Sequence, residues 1–216
     1  ATLSLAESAR CGITFTVEAG TVAFPEMVLN GFEKVGVGGA IGSWGWDVGN
    51  GPYVDSVDGV IERQLQVLEM TKNHSSVKGW VTLVGHNLMS DELLQKASNL
   101  AKENSTNLTF HLSPHAGEVS QYLEKTGMRP VTYISELGVL GSHLLIGHAV
   151  HIDDSELEVL INSKTAIASS PWAYLKLGQG ITKFGKHPEF VSKGGRLALG
   201  CDTENAGDTK DLLLTA

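Results

Sequence analysis

Two cysteines in 216 residues, Cys11 and Cys201, are too few and too far apart for a disulfide framework or a CxxC zinc knuckle. They read as two thiols in a reducing cytoplasm. Positive charge is scarce as well. Sixteen Lys and Arg stand against 24 Asp and Glu, a formal charge of −8, so nothing here would neutralise the phosphates of a nucleic acid. No apolar run approaches the roughly 18 residues that cross a bilayer, which excludes a membrane-spanning helix. The opening residues show no charged segment leading into an apolar one, so no secretory signal is visible. HExxH, Walker and GxSxG patterns are all missing.

What is present is a globular composition, 42% apolar and 19% charged, with enough length for one domain with a substantial core. Strand-like and helix-like segments alternate. Ile13–Ala19 precedes the helical Pro25–Lys34, and Val37–Ser43 precedes a helix over Val57–Met70 whose stripe is Val57, Val60, Ile61, Gln64, Leu65 and Leu68. Val77–Gly85 reads as one strand. Ser90 is an N-cap, with Asp91 and Glu92 in the first turn and Leu93, Leu94, Ala97, Leu100 and Ala101 on one helical face. Leu108–Leu112 and Leu144–Val150 follow. Asp153 and Glu156 form a capping box for a helix to Ile161, and Thr165–Ser169 and Arg196–Gly200 complete seven strands. Alternating β and α units imply an α/β fold with a parallel sheet, doubly wound or closed into a barrel. Polar groups at the ends of several strands (Glu18, His86, His111, His148, Asp202) suit a barrel mouth better than a single crevice.

Three of those groups carry the functional argument. LTFHLSPH delivers His111, LLIGHAVH delivers His148 and RLALGCD delivers Asp202, each at the end of an apolar run. Two imidazoles and a carboxylate converging in a pocket are a means of holding a divalent metal and activating water. The glycines of Gly36-Val-Gly38-Gly39-Ala-Ile-Gly42 lie inside a strand rather than in the turn after one, so they read as close packing and not as a phosphate loop. Leu177-Gly178-Gln179-Gly180 reads as a turn. His148 and His151 form an HxxH that on a strand would point to opposite faces. His74 and His187, in polar surroundings, read as surface residues.

These segments resemble the amidohydrolase superfamily, in the branch holding cytosine and guanine deaminases and triazine chlorohydrolases. FHLSP, RPVTYISELGVLG, GHAVHIDDSELEVL, SSPWAYLKLGQG and LALGCDTENAGD match in the family's order; SARCGITFTVEAGT resembles its second barrel unit and VGHNLMSDELLQKA its fourth. The resemblance implies a (β/α)8 TIM-barrel type of fold and hydrolysis at a C–N or C–Cl bond of a small molecule, a nitrogen heterocycle. It implies a divalent metal, zinc first and iron second. His111 matches the fifth-strand metal ligand, and Asp202 matches the eighth-strand aspartate that binds the metal and takes the proton of its water. His148 matches the sixth-strand histidine facing water or substrate, in some members the metal. His86 matches a substrate-contacting histidine. Relatives are commonly dimers or larger, so a homo-oligomer is compatible with it.

Departures from the pattern temper these expectations. Deaminases of this branch follow the fifth-strand histidine with HxxE; here the glutamate position is Pro114, leaving His115 or Glu118 as candidate substitutes. The segment usually rich in Ser and Asn reads Pro171-Trp172-Ala173-Tyr174, which makes Trp172 a candidate for a more aromatic pocket wall. The family's first-strand HxH, a source of two further ligands, has no counterpart in the sequence. The expectation is therefore a single domain, residues 1–216, lacking the first β/α unit and the flanking β-sandwich and incomplete at both ends. Such a chain would hold metal poorly and turn over little. The alternative is a catalytically inactive barrel fragment or a binding and assembly module.

Overall fold

Serines, prolines and glycines punctuate the chain where helices must begin and end. Ser56 and Ser90 accept hydrogen bonds from the amides of Gly59 and Leu93, and Pro25, Pro130 and Pro171 occupy first-turn positions where no intrahelical N–H is needed. Gly36 and Gly127 close two helices in the left-handed conformation. In the computed structural model, which describes residues 1–202 and 209–215, the resulting order is α1 (Thr2–Arg10), β1 (Phe15–Val17), α2 (Pro25–Val35), β2 (Gly38–Ile41), α3 (Val57–Thr71), β3 (Val77–Gly79), β4 (Val81–Gly85), α4 (Asp91–Glu103) and β5 (Leu108–Leu112). It continues with α5 (Ala116–Thr126), α6 (Pro130–Glu136), β6 (Leu144–His148), α7 (Asp154–Ser163), β7 (Ala166–Ser169), α8 (Pro171–Lys176), α9 (Ile181–Phe184), α10 (His187–Ser192), β8 (Leu197–Leu199) and α11 (Leu212–Thr215). The tail of the last matching motif, residues 203–208, lies outside the described residues.

The chain divides into two units, Ala1–Phe110 and His111–Ala216. In the first, β1, β2 and β3 form a parallel sheet, with Phe15 opposite Gly38 and Gly39 opposite Val77. Phe32, Ile41, Val67 and Val77 pack with Leu5 into its core. Gly39 of β2 serves that packing, since a Cβ there would sit 2.4 Å from the Phe32 ring; just after β2, a Cβ on Gly42 would sit 2.0 Å from the Thr82 hydroxyl. The single strand expected over Val77–Gly85 is two, because the backbone changes partner at Trp80. Up to there it pairs with β2, and the Trp80 amide donates to Ile41; the Val81 amide donates instead to Asn107. The count is thus eight strands among the described residues rather than seven.

The α3 stripe also differs from expectation. Its buried side chains are Val60, Gln64, Val67 and Thr71, whereas Leu65 is 40% exposed. Gln64 is drawn inward because its amide donates to the Ser43 carbonyl (3.0 Å) and accepts from the Thr82 amide (3.0 Å), satisfying backbone groups that no strand pairs.

In the second unit β6, β7 and β8 are parallel, with Gly147 opposite Ala168 and Ser169 opposite Leu199. Beyond β5 the Leu112 and Ser113 carbonyls accept from the amides of Ala149 and His151. Asp153 and Glu156 form the expected capping box. Glu156, fully buried, also accepts from Arg129 (2.8 Å) and from the Val131 amide (2.9 Å), so one carboxylate ties the start of α7 to the start of α6. Helices covering parallel strands make each unit α/β. No helix among the described residues is long and apolar enough to cross a membrane.

Candidate functional site

Right-handed chirality makes left-handed backbone costly for residues with a Cβ, so its position is informative. Among the described residues, outside glycine, it occurs at His86, Asn87, Ser105, Ser113, His148, Ala149, Lys164 and Asp202. Ser105 and Lys164 only close α4 and α7. The other six follow strands, and three of them are His86, His148 and Asp202, singled out above as candidates. These residues leave their strands through bends that regular packing would not choose.

The second unit brings several of the candidates together. His111, half-buried on β5, and His148, buried at the end of β6, have ring centroids 5.0 Å apart at 32°. Their closeness depends on Gly147, where a Cβ would lie 3.3 Å from the His111 ring. The His148 ring then meets the edge of Tyr174 at 5.6 Å. Tyr174 is fully buried on α8 and donates to the Ala168 carbonyl (3.3 Å). Burial pushes its hydroxyl well above the ordinary phenol range, and the Asp202 carboxylate adds to the effect, against the hydrogen bonds of Ser170 and Ser169. Tyr174 is therefore a neutral donor. His111 and His148 thus lie side by side toward the C-terminal ends of β5 and β6, with Tyr174 of α8 against the His148 ring, and Asp202 follows β8.

Each remaining candidate has its own local setting. His115 is exposed and caps α5, its Nδ1 accepting from the Glu118 amide (3.2 Å). Glu118 is buried and accepts from the amide of left-handed Ser113 (2.8 Å), holding the bend after β5. Trp172 is 37% exposed on α8. In the first unit, His86 is exposed at the end of β4 between Gly85 and Asn87, all three left-handed. Glu18, after β1, folds back onto the amides of Gly20 (2.9 Å) and Thr21 (2.8 Å); burial pushes its pKa up against those hydrogen bonds. His151 directs Nε2 to the Gln179 carbonyl (2.8 Å) and lies against Phe184, in surroundings unlike those of His148.

Two expectations are corrected. His74 is no loose surface residue, because its Nδ1 accepts from the amides of Ser76 (3.3 Å) and Val77 (3.0 Å) and so fixes the turn into β3. His187 is only 6% exposed: Nε2 bonds the His148 carbonyl at 2.7 Å and the ring stacks on Tyr174 at 6.0 Å. Burial lowers its pKa, against that hydrogen bond. The cue that the sequence offered was Phe190, three residues on along α10, whose burial turns the same helix face inward.

A cavity of about 290 Å3 in the second unit, lined by Ser142, Lys164, Thr165 and Arg196, lies at the opposite, N-terminal ends of β7 and β8 and takes no part in this set.

Comparison with known proteins bears on the family and the fold. The chain is 26% identical over 220 residues to a 5'-deoxyadenosine deaminase of Methanopyrus kandleri, covering 99% of the chain and 48% of that protein. It is 32% identical over 158 residues to a 5-methylthioadenosine/S-adenosylhomocysteine deaminase of Caldicellulosiruptor saccharolyticus, covering 70% of the chain and 36% of that protein. The chain therefore spans about half the length, or less, of the curated relatives it matches. Among solved structures, a zinc-bound adenosine deaminase from Xanthomonas campestris superposes with a TM-score of 0.90 at 19% identity, over 99% of this chain and 47% of its own. A zinc complex of atrazine chlorohydrolase from Arthrobacter aurescens gives 0.89 at 18%, over 98% and 50%. At such identities these two show the fold, the α/β type of amidohydrolase TIM-barrel proteins. The family model for the amidohydrolase family matches residues 1–215. With that match running nearly end to end, the chain belongs to the amidohydrolase family.

Proposed function

We propose that this protein is a metal-dependent hydrolase that breaks a C–N or C–Cl bond of a small nitrogen heterocycle, and that His111, His148 and Asp202 are its reacting residues in this chain. The observation that carries the reading is the pairing of the His111 and His148 rings, 5.0 Å apart at two strand ends, in a unit where Asp202 leaves a third strand through a left-handed bend. The donor set fits a borderline cation such as zinc, with iron as the second candidate, since two imidazoles and one carboxylate are its preferred nitrogen and oxygen ligands. His111 and Asp202 would hold the ion, with His148 beside it. When bound, such an ion supplies Lewis acidity that brings the pKa of coordinated water to about 7.

The residues then divide the work. Asp202 takes the proton of the attacking water at a carboxylate oxygen. His148 stabilises charge that develops on the substituent of the attacked carbon. Tyr174 lies against the His148 ring and limits its movement. His86 would contact the substrate. His115 and Glu118 shape the bend after β5 in this reading, and Trp172 contributes pocket wall. The substrate class is drawn from the relatives, named as deaminases and a chlorohydrolase. In this reading the setting is reducing and cytoplasmic, as two cysteines so far apart in sequence suggest.

A second reading is a scaffold that kept the fold without the chemistry. It is favoured by Pro114, which can neither give nor take a proton where deaminases of this type carry glutamate.

One experiment separates the two. Ammonia and chloride release by the whole, zinc-supplied protein is measured with adenine nucleosides, guanine and chlorinated triazines. Hydrolysis predicts release that chelation abolishes and that Asp202→Asn lowers by roughly 100- to 10,000-fold. Release that survives Asp202→Asn intact, or none from any compound, contradicts the proposal.

A further inference from the structure

We infer that His187 is a positioning residue for His148, fixing the direction of its ring through the His148 carbonyl and through Tyr174. His148 and Ala149 are consecutive non-glycine residues in left-handed backbone, with φ of 77° and 52°. Two such residues in a row persist only where the surroundings over-determine them. On one side the Ala149 amide is held by the Leu112 carbonyl at 3.0 Å. On the other, the His148 carbonyl is turned out of the β6 ladder into a buried region, where an acceptor without a donor is costly. The donor it meets is His187 Nε2, at 2.7 Å, from a helix 39 residues further along the chain.

A carbonyl oxygen can only accept, so Nε2 carries the hydrogen. Nδ1 has no hydrogen-bond partner in the structure, which suits a lone pair and a neutral ring. The same ring stacks on Tyr174 (6.0 Å, 26°), and Tyr174 meets the His148 ring edge-on (5.6 Å, 67°). Main chain and side chain of His148 are thus gripped by one pair of residues. A side chain at 187 must donate at the reach of Nε2; histidine does so, whereas phenylalanine offers only a flat face.

The inference rests on the reading of His148 as a reacting residue, and its test reports on orientation whether or not metal binds. His187→Gln places an amide donor where Nε2 lies, while His187→Asn, equally polar, reaches only as far as Nδ1. In nitrogen-15 NMR of the metal-free protein, the Gln variant is expected to keep the wild-type His148 ring resonances. The Asn variant is expected to shift or broaden them and to speed exchange of the Ala149 amide. Zinc titration should follow the same order, with affinity lost by roughly ten- to a hundred-fold in Asn and largely kept in Gln. His187→Phe, which stacks without donating, should resemble Asn.

If Gln and Asn give the same His148 spectrum, the inference is overturned. If the spectra separate as expected while zinc leaves His148 untouched in the wild type, the inference stands and the metal reading of His148 fails.

Discussion

The proposed reacting groups are set by a few close approaches that leave little room for error. Gly147 is the most demanding. Its φ is ordinary, so alanine fits the backbone, but the added methyl would press on the His111 ring from 3.3 Å. Gly147→Ala is therefore expected to leave the melting temperature within a few degrees while weakening zinc binding by roughly tenfold, the scale on which misplaced ligands lose metal. Paired thermal melts and zinc titrations check this, and a variant that binds as well as wild type would show that the ring pair tolerates displacement. At this scale His111, His148 and Asp202 stand out as candidates in the sequence because each ends an apolar run. Tyr174 and His187 were not. The burial of His187 depends on a carbonyl 39 residues away, and its sequence neighbours, Lys186 and Pro188, are those of a surface turn.

Elements were legible where local chemistry decides them. The Ser90 cap and the Asp153–Glu156 capping box form as the sequence predicts, because both involve atoms within three residues. Asp153→Ala removes one such cap and should cost about 0.5–2 kcal/mol in urea denaturation at pH 7. Burial raises the Asp153 pKa, but the amides of Glu156 and Ser155, the Ser155 hydroxyl and Arg129 outweigh it and hold the carboxyl below its unfolded value. A depressed carboxylate contributes stability above its unfolded pKa and loses it as pH falls through the folded one. The gap between wild type and variant should accordingly narrow as pH drops below about 4; a gap that widens would refute the assignment.

Non-local pairing was less legible. Val77–Gly85 carries an unbroken strand pattern, and only the change of partner at Trp80 divides it. Nor does periodicity say why Gln64 is inside while Leu65 is out. Two backbone groups need the amide, and Gln64→Leu, leaving the Thr82 amide without it, should destabilise by about 1–3 kcal/mol. A shift in the urea midpoint measures that loss.

On the scale of the whole molecule, alternating strands and helices led to the α/β class, and ordered motifs led to the family whose model matches residues 1–215. Barrel and doubly wound arrangements share that alternation, so the resemblance and the structural likenesses, rather than periodicity, chose between them. The central claim is the proposal that His111 and Asp202 hold the ion, with His148 beside it. The most direct test is a zinc titration followed by nitrogen-15 NMR of the histidine rings in the protein and in Asp202→Asn. The account predicts that His111 and His148 respond together, that His74 and His151 keep their resonances, and that Asp202→Asn weakens the response. Zinc that perturbs His74 or His151 first, or leaves His111 and His148 unmoved, would contradict it.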